Sequence, residues 1–502
     1  YAVTGTGTQT DPYVVKNTPI TVKLVKTDLD GKALPGSTFT VTPVGGVTFT
    51  DGTSGAKTYS NGSDWDLSGL LRDSVTDGTT TATFDYKVTE TVSPNGCELL
   101  TMGSEATNRY IHLQDGKLYY ISASDYGDSR FSWTPAEGNT VTIKNPQTRI
   151  SFSKTDSNDV ALAGAVFSIE GTFTDAADPA KTTTTPITWT STSGTARVTF
   201  TGRFIAGQQY TVTETTAPKG YLTMQPAFTF TINQEGSLTI SGTPAGATVI
   251  SSTNNSSVRG KVTYVQITDQ PTSFTVNKYA DTDAARTTPV GGAEFTVKPV
   301  GDAEFADQTT AAKTVVTNDD GTAGLSGVLA ADTSYTIQET SAPAGYQLAN
   351  PNPTYTIRIT NAGQLKVSLD NGKTWADVKD NAMAFSDAAT NATLVKEDAT
   401  AKGNPQINGA AYTLTPAGTG TFADGSSAAQ ELKPAAGAAA SPSPRMIADG
   451  TTTYTLSETV SPAGYKLNRL TDSYSDAVIT GGAMTLKMDV YGQLYYESTA
   501  AD

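Results

Sequence analysis

Apolar and polar residues alternate along the chain in short runs, broken by clusters of Gly, Asn, Asp, Ser and Pro. Strand side chains alternate between two faces, so Ile20, Val22, Leu24 and Lys26 share one face of an opening strand. The same parity sets Lys154 behind Ile150 and Phe152, Lys278 behind Phe274 and Val276, and Lys396 behind Leu394. Later runs repeat it in Phe84-Tyr86-Val88-Glu90, Tyr210-Val212-Glu214, Tyr335-Ile337-Glu339 and Tyr454-Leu456-Glu458. A last set reads Val141-Ile143-Asn145, Val265-Ile267-Asp269 and Met383-Phe385-Asp387. Turn signals at Asn233–Gly236, Asn361–Gly363 and Gln114–Gly116 predict hairpins late in each stretch. The pattern predicts an all-β chain of sandwiches built from short antiparallel strands.

These runs recur in a fixed order. A marker segment appears as Glu90-Thr-Val-Ser-Pro-Asn-Gly-Cys97, Glu214-Thr-Thr-Ala-Pro-Lys-Gly-Tyr221, Glu339-Thr-Ser-Ala-Pro-Ala-Gly-Tyr346 and Glu458-Thr-Val-Ser-Pro-Ala-Gly-Tyr465. The opening lysines are spaced by 128, 124 and 118 residues, and each precedes a Gly-led strand such as Gly164-Ala165-Val166-Phe167 or Gly292-Ala293-Glu294-Phe295. Repetition at this period means tandem domains. The boundaries fall at 18–147, 148–271, 272–389 and 390–502, with 1–17 as a separate closing strand. From Asn145 to Lys154, Asp269 to Lys278 and Asp387 to Lys396 the count is nine residues each time. Joints this short predict a stiff, elongated rod. The Ala/Gly/Ser/Pro stretch 434–444 reads as an exposed loop inside the fourth domain.

Composition narrows the chemistry. The 502 residues carry 49 Asp and Glu against 34 Lys and Arg, a net charge of −15, so no basic face is available for nucleic acid. No run approaches the ~20 apolar residues of a membrane span. One cysteine, Cys97, and one histidine, His112, leave no disulfide framework, Cys-based zinc site or His cluster. No metal and no cofactor are expected. Asn318–Gly321 lacks the spacing of a calcium loop and reads as a turn. His112 is expected in a strand with no catalytic partner. Fingerprints of turnover enzymes are missing from the sequence, which predicts that the chain is not an enzyme.

Strand parity aims a lysine, a glutamate and an Asn or Asp into each apolar interior. Unpaired buried charges cost several kcal/mol, about enough to demand a partner or a reaction. One reading is a buried salt-bridge triad, or strand-end charges that escape to solvent. The other starts from desolvation, which lowers a lysine pKa and raises that of a glutamate. A neutral amine is then a nucleophile beside a carboxamide or carboxylic acid. A protonated glutamate can polarise the acceptor carbonyl and pass protons to departing ammonia or water. The product is an amide joining first and last strands.

The Lys-x-Asp opening, the Glu-Thr-x-x-Pro-x-Gly-Tyr marker and the closing Asn/Asp resemble the collagen-adhesin B-type (Cna-B, SpaA-like) domains of Gram-positive surface proteins and pilins. The likeness covers essentially the whole chain. It implies immunoglobulin-like sandwiches with spontaneous isopeptide bonds: Lys26–Asn145, Lys154–Asp269 and Lys278–Asp387, promoted by Glu90, Glu214 and Glu339. Cys97 departs from the usual Tyr, Lys278 is followed by Tyr-Ala-Asp, and Asp acceptors would release water in place of ammonia.

The fourth domain carries Lys396 and Glu458 but reads as lacking a closing strand, while Tyr13, Val15 and Asn17 alternate as closing strands do. Asn17 lies nine residues before Lys26, the same joint again. Lys396 is therefore expected to pair with Asn17 of a following copy, in a longer repeat or a separate subunit. Alternatively, residues 1–17 end an unrelated preceding domain. The function expected is a structural stalk or fibre segment of a pilus or adhesin on a bacterial cell surface, with copies of itself as partners. Pulling on such a domain would load the crosslink before the sheet unzips. The alternative is a ligand-binding adhesin module for a host protein or glycan, carried on insertions such as Ser124–Trp133 or Tyr59–Val75 with Trp65. Trp65 equally suits capping its own sandwich.

Overall fold

The computed structural model describes residues 2–74, 76–77, 80–81, 83–100, 107–193, 197–254, 261–281, 284–398, 400–465 and 483–497. Among these, strands and turns account for the architecture, with two single-turn 3-10 segments at Glu137–Asn139 and Lys379–Asn381. The chain divides into two compact units, Tyr1–Pro218 with Leu222–Gln270, and Lys219–Tyr221 with Pro271–Asp502.

The first unit holds two sandwiches. In the first, the sheet Thr140–Lys144, Lys23–Thr27, Asp64–Asp66 faces a larger sheet centred on Arg109–Gln114, Tyr86–Val92 and Ser37–Pro43. Leu24 and Ile143 from one sheet meet Phe39, Val41, Tyr86 and Ile111 from the other. The second sandwich sets Arg197–Thr201, Arg149–Thr155, Val262–Asp269, Ala247–Asn254 against Ile187–Thr190, Val166–Glu170, Gln209–Thr216, Phe228–Ile232, Leu238–Ser241. Its core is aromatic: Phe152, Phe167, Trp189, Phe204, Tyr210 and Phe230.

The second unit repeats the plan. Thr322–Ser326, Ser273–Ala280 and Ala382–Ala389 pair in order, opposite a sheet containing Glu294–Pro299, Tyr335–Ser341 and Tyr355–Ile359. A further sheet orders Gln430–Leu432, Ala411–Pro416, Thr453–Val460, Ala483–Met488 and Leu494–Glu497.

Two features recur. Opening and closing strands are parallel neighbours in the first three sandwiches, at Lys26 opposite Ile143, Lys154 opposite Ile267 and Lys278 opposite Phe385. A buried tyrosine on each marker strand also ties two loops. Tyr86, Tyr210, Tyr335 and Tyr454 hydroxyls accept backbone N–H bonds from Arg72, Ile205, Ala330 and Ile447. They donate to the carbonyls of Thr48, Thr172, Glu304 and Thr421. Parity predicted these tyrosines inward; their loop-tying role was not read from the sequence.

Several expectations change in detail. Val14–Lys16 pairs antiparallel with Ala2–Thr4 in a ribbon whose residues are all exposed. The alternating segment thus satisfies its backbone locally. The 434–444 stretch is largely exposed, yet Ala440 exchanges backbone hydrogen bonds with Leu394, so it supplies a neighbour to the fourth opening segment. Trp65 packs edge-on against Phe39 inside its own core. His112 does lie on a strand, with Nδ1 3.3 Å from Asp85 and its ring against Trp133. Asn318–Gly321 is a turn closed by the Gly321 N–H to the Asn318 carbonyl.

Candidate functional site

The site in each sandwich is assembled by register. The acceptor follows two residues beyond the closing-strand partner of the lysine, so both point to the same face of adjacent parallel strands. The glutamate arrives from the opposite sheet. Each marker glutamate lies opposite the aromatic of the Gly-led strand: Glu90 by Phe39, Glu214 by Phe167, Glu339 by Phe295, Glu458 by Tyr412. In every case the pairing shifts register beside this position, the bulge that re-aims a side chain. The ring is the component that sequence reasoning missed. Its signal was present, because the fourth residue of the Gly-led motif is aromatic in all four domains.

The structure brings together the three predicted triads. In the first, Lys26 Nζ donates to Asn145 Oδ1 at 2.5 Å and to Glu90 Oε2 at 3.1 Å, and Asn145 Nδ2 donates to Glu90 Oε1 at 3.0 Å. Glu90 therefore touches both the amine and the amide nitrogen. In the second, Lys154 Nζ lies 2.9 Å from Glu214 Oε1 and bonds to Asp269 Oδ1. Glu214 Oε2 accepts the Met224 N–H at 2.7 Å, which fixes its carboxylate. In the third, Lys278 Nζ lies 2.7 Å from Glu339 and 2.5 Å from Asp387. All nine side chains are buried. Lys26 and Lys154 lie 5.7 and 5.2 Å from the ring centres of Phe39 and Phe167.

Burial governs the electrostatics. It lowers Lys26 to about 8, against the opposing pull of Glu90, and it raises Glu90. Burial raises Asp269 to about 7, with the Glu214 charge adding to the effect. Glu339 rises to about 7 and Asp387 also rises, both through burial. The last two sites each hold one lysine and two carboxyls, so full ionisation would bury a net negative charge. A carboxyl that keeps its proton removes it, and a protonated carboxyl is also an acyl acceptor. A cavity of about 240 Å³ lies against Glu339, Asp387, Tyr355 and Asn352, with room for water.

The fourth site differs. Lys396 Nζ pairs with Glu458 at 2.9 Å, and the lysine side chain stays 19% exposed. Burial acts downward on Lys396, but bonds to Glu458 and Tyr412 outweigh it and hold its pKa above the usual lysine value. No Asn or Asp acceptor is paired with Lys396 among the described residues. Its predicted partner Asn17 is exposed beside the terminal ribbon. Leu394 and Leu456 line a cavity of about 180 Å³ with Leu414, Met484, Leu486 and Leu494.

Residues 148–244 and 272–373 match the family model SpaA, prealbumin-like fold domain. Two successive stretches of the chain are thus similar to SpaA-type, prealbumin-like domains. The matched stretches take in the pairs Lys154–Glu214 and Lys278–Glu339 and end before the acceptors Asp269 and Asp387. No curated protein matches the chain. Among solved structures, the C-terminal fragment of pilus adhesin SpaC from Lactobacillus rhamnosus GG is 18% identical, covering 48% of this chain and 97% of its own, with a TM-score of 0.27. The SpaC adhesin in its open conformation is 15% identical over 94% of this chain and 54% of its own, at 0.33. This chain thus spans about half the length of that adhesin. The full-length major pilin SpaD from Corynebacterium diphtheriae is 14% identical over 75% of this chain and 98% of its own, at 0.26. Among the described residues, no helix is long and apolar enough to cross a membrane.

Proposed function

We propose that this chain is a stalk or fibre segment of a Gram-positive surface adhesin or pilus, tied internally by autocatalytic isopeptide bonds. The observation that carries the reading is the contact of one buried glutamate with both reacting groups in the first triad. The neutral Lys26 amine attacks the Asn145 carboxamide carbon, and Glu90 relays the amine proton to the amide nitrogen, which leaves as ammonia. Lys154 and Lys278 attack protonated Asp269 and Asp387, promoted by Glu214 and Glu339, and water leaves. Each site acts once, so the chain has no turnover. The four successive domains follow the boundaries of the sequence repeats. The intact mass of the folded protein tests the reading. It should fall below the sequence mass by one ammonia and two waters, and tryptic peptides with Lys26, Lys154 and Lys278 all unlinked would overturn it.

Strand completion extends the same scheme to the fourth domain. Leu394 has Ala440 on one side and no closing strand on the other among the described residues, while Tyr13, Val14 and Val15 stand exposed on their ribbon. The segment ending at Asn17 of a second copy fits that edge and would bring its carboxamide to Lys396 and Glu458. A Lys396–Asn17 linked peptide is the expected product.

A second reading, a binding module for a host protein or glycan, draws on the first sandwich. The Ser124–Trp133 insertion stacks Tyr126 on Tyr110 at 3.6 Å and sets Trp133 near Tyr126, with Phe131 exposed. Glycan- and matrix-protein-binding assays on the intact polypeptide, with Phe131→Ala as the control, separate it from a purely structural role.

A further inference from the structure

Inside each unit, successive sandwiches meet through the same set of atoms. The marker turn of one presents its glycine carbonyl to a threonine three residues past the closing Asn/Asp. In the first unit, Thr148 donates its N–H to Gly96 O at 2.8 Å, and its hydroxyl bonds to the carbonyls of Gly96 and Phe204 at 3.1 and 3.2 Å. In the second, Thr390 donates its N–H to Gly345 O at 2.9 Å, with hydroxyl bonds to Gly345 and Met446 at 3.2 and 2.8 Å. The second unit also includes Gly220, which Thr272 engages in the same way together with Leu329. A side chain on any of these glycines would strike what lies above it: Gly202, Ala423 or Ala306. A hairpin completes the joints at Thr148 and Thr390. Leu99 donates to Gln234 O and Leu348 to Val490 O, while Gly236 and Gly492 pass directly under Glu98 and Gln347.

Among the described residues, both halves of this joint also occur without their complement. The fourth marker turn, Ser461–Tyr465, has the same left-handed glycine, Gly464 at φ +88°, and no described residue lies within 4 Å of where a side chain there would project. The first sandwich carries the receiving half. Gly69 donates to Ile20 O at 3.3 Å as Gly202 does to Thr148 O, Pro19 covers Gly69, and the hairpin glycine Gly116 meets open space.

We propose that the turn Ser461–Tyr465 of one copy docks on the socket formed by Pro19, Ile20, Gly69 and Gly116 of a second copy, reproducing the joint made inside the chain. The Ile20 N–H then donates to the Gly464 carbonyl, and Tyr465 pairs with Pro19 as Cys97 does with Gln147. The proposal rests on the strand-completion reading for its direction, since the segment ending at Asn17 runs straight into Ile20. Ile20 replaces the threonine of the internal joints, so two hydroxyl bonds are missing and the contact between copies is weaker than those within the chain.

Sedimentation of the 502-residue polypeptide carrying Lys396→Arg, which blocks covalent linkage, isolates the joint. Concentration-dependent head-to-tail association is expected. Gly464→Val should abolish it with the melting profile retained, and Ile20→Pro should abolish it from the other face. Ile20→Thr should tighten it roughly five- to tenfold by restoring the hydroxyl bonds. Absence of association with Lys396→Arg, or association unmoved by Gly464→Val, overturns the proposal. Failure of strand completion reads separately, as the lack of a Lys396–Asn17 peptide in the unsubstituted protein.

Discussion

At Lys26 the penalty of burying an ammonium outweighs the stabilisation that Glu90 gives it. At Lys26 burial has already brought the pKa to about 8, so roughly a tenth of the amine is neutral at pH 7. Closure of the first bond requires that neutral form, and its rate should climb from pH 6 to pH 8. The second site should respond more weakly. Its acceptor must also keep a proton that Asp269 loses near pH 7, so the gain in neutral amine is offset and closure there should level off above that value. Mass spectrometry of each domain's linked peptide after refolding at a series of pH values reads both trends. Parallel profiles would remove acceptor protonation as the difference. Replacing Glu90 by Ala removes the proton relay. The first sandwich should keep its fold but leave Lys26 unlinked, losing ~2–5 kcal/mol of chain constraint and roughly 10–20 °C in melting temperature. Full linkage in that variant would exclude Glu90 from the chemistry.

At the scale of elements, the joint between the first two sandwiches stores a titratable group. Glu98 is buried under Gly236, with Oε1 accepting the Lys261 N–H and Oε2 without a hydrogen bond among the described residues. Burial raises its pKa to about 7, although Lys261 and Arg149 pull the other way. The folded state therefore binds more protons than the unfolded chain between the ordinary glutamate value and pH 7, and stability falls as the pH climbs through that window. Glu98→Gln should raise the melting temperature of this unit at pH 8 and leave it nearly unchanged at pH 4.5. An equal shift at both values would mean that the carboxyl charge is not the cause. This group shows where sequence reading stopped. Lys26, Glu90 and Asn145 were legible because period-two parity fixes a face and the triad repeats. Glu98 follows the marker in a position where Gln347 stands elsewhere, so no repeat singled it out. Phe39 and its counterparts were legible as core but not as the floor of the site, since the bulge that aims the glutamate is set by pairing. The terminal ribbon escaped for a similar reason: alternation at Tyr13, Val15 and Asn17 marks a strand without naming its neighbour.

For the whole molecule, the parallel pairing of first and last strands matters most once Lys26 and Asn145 are joined. The residues between them then form a closed covalent loop within the main chain. Arg130 lies inside that loop, with its side chain 81% exposed, and is an evident target for trypsin. Cleavage there should add one water to the mass while leaving a single covalent species on a denaturing gel, whereas the Glu90→Ala protein should fall into two pieces. The same holds for any cut between Lys154 and Asp269 or between Lys278 and Asp387. Between Lys26 and Asp387, only the short joints between loops remain as places where one broken peptide bond parts the chain, and the backbone there is drawn into contacts around Thr148 and Thr272, each buried. A chain linked this way should survive a nick inside each closed loop as one covalent molecule.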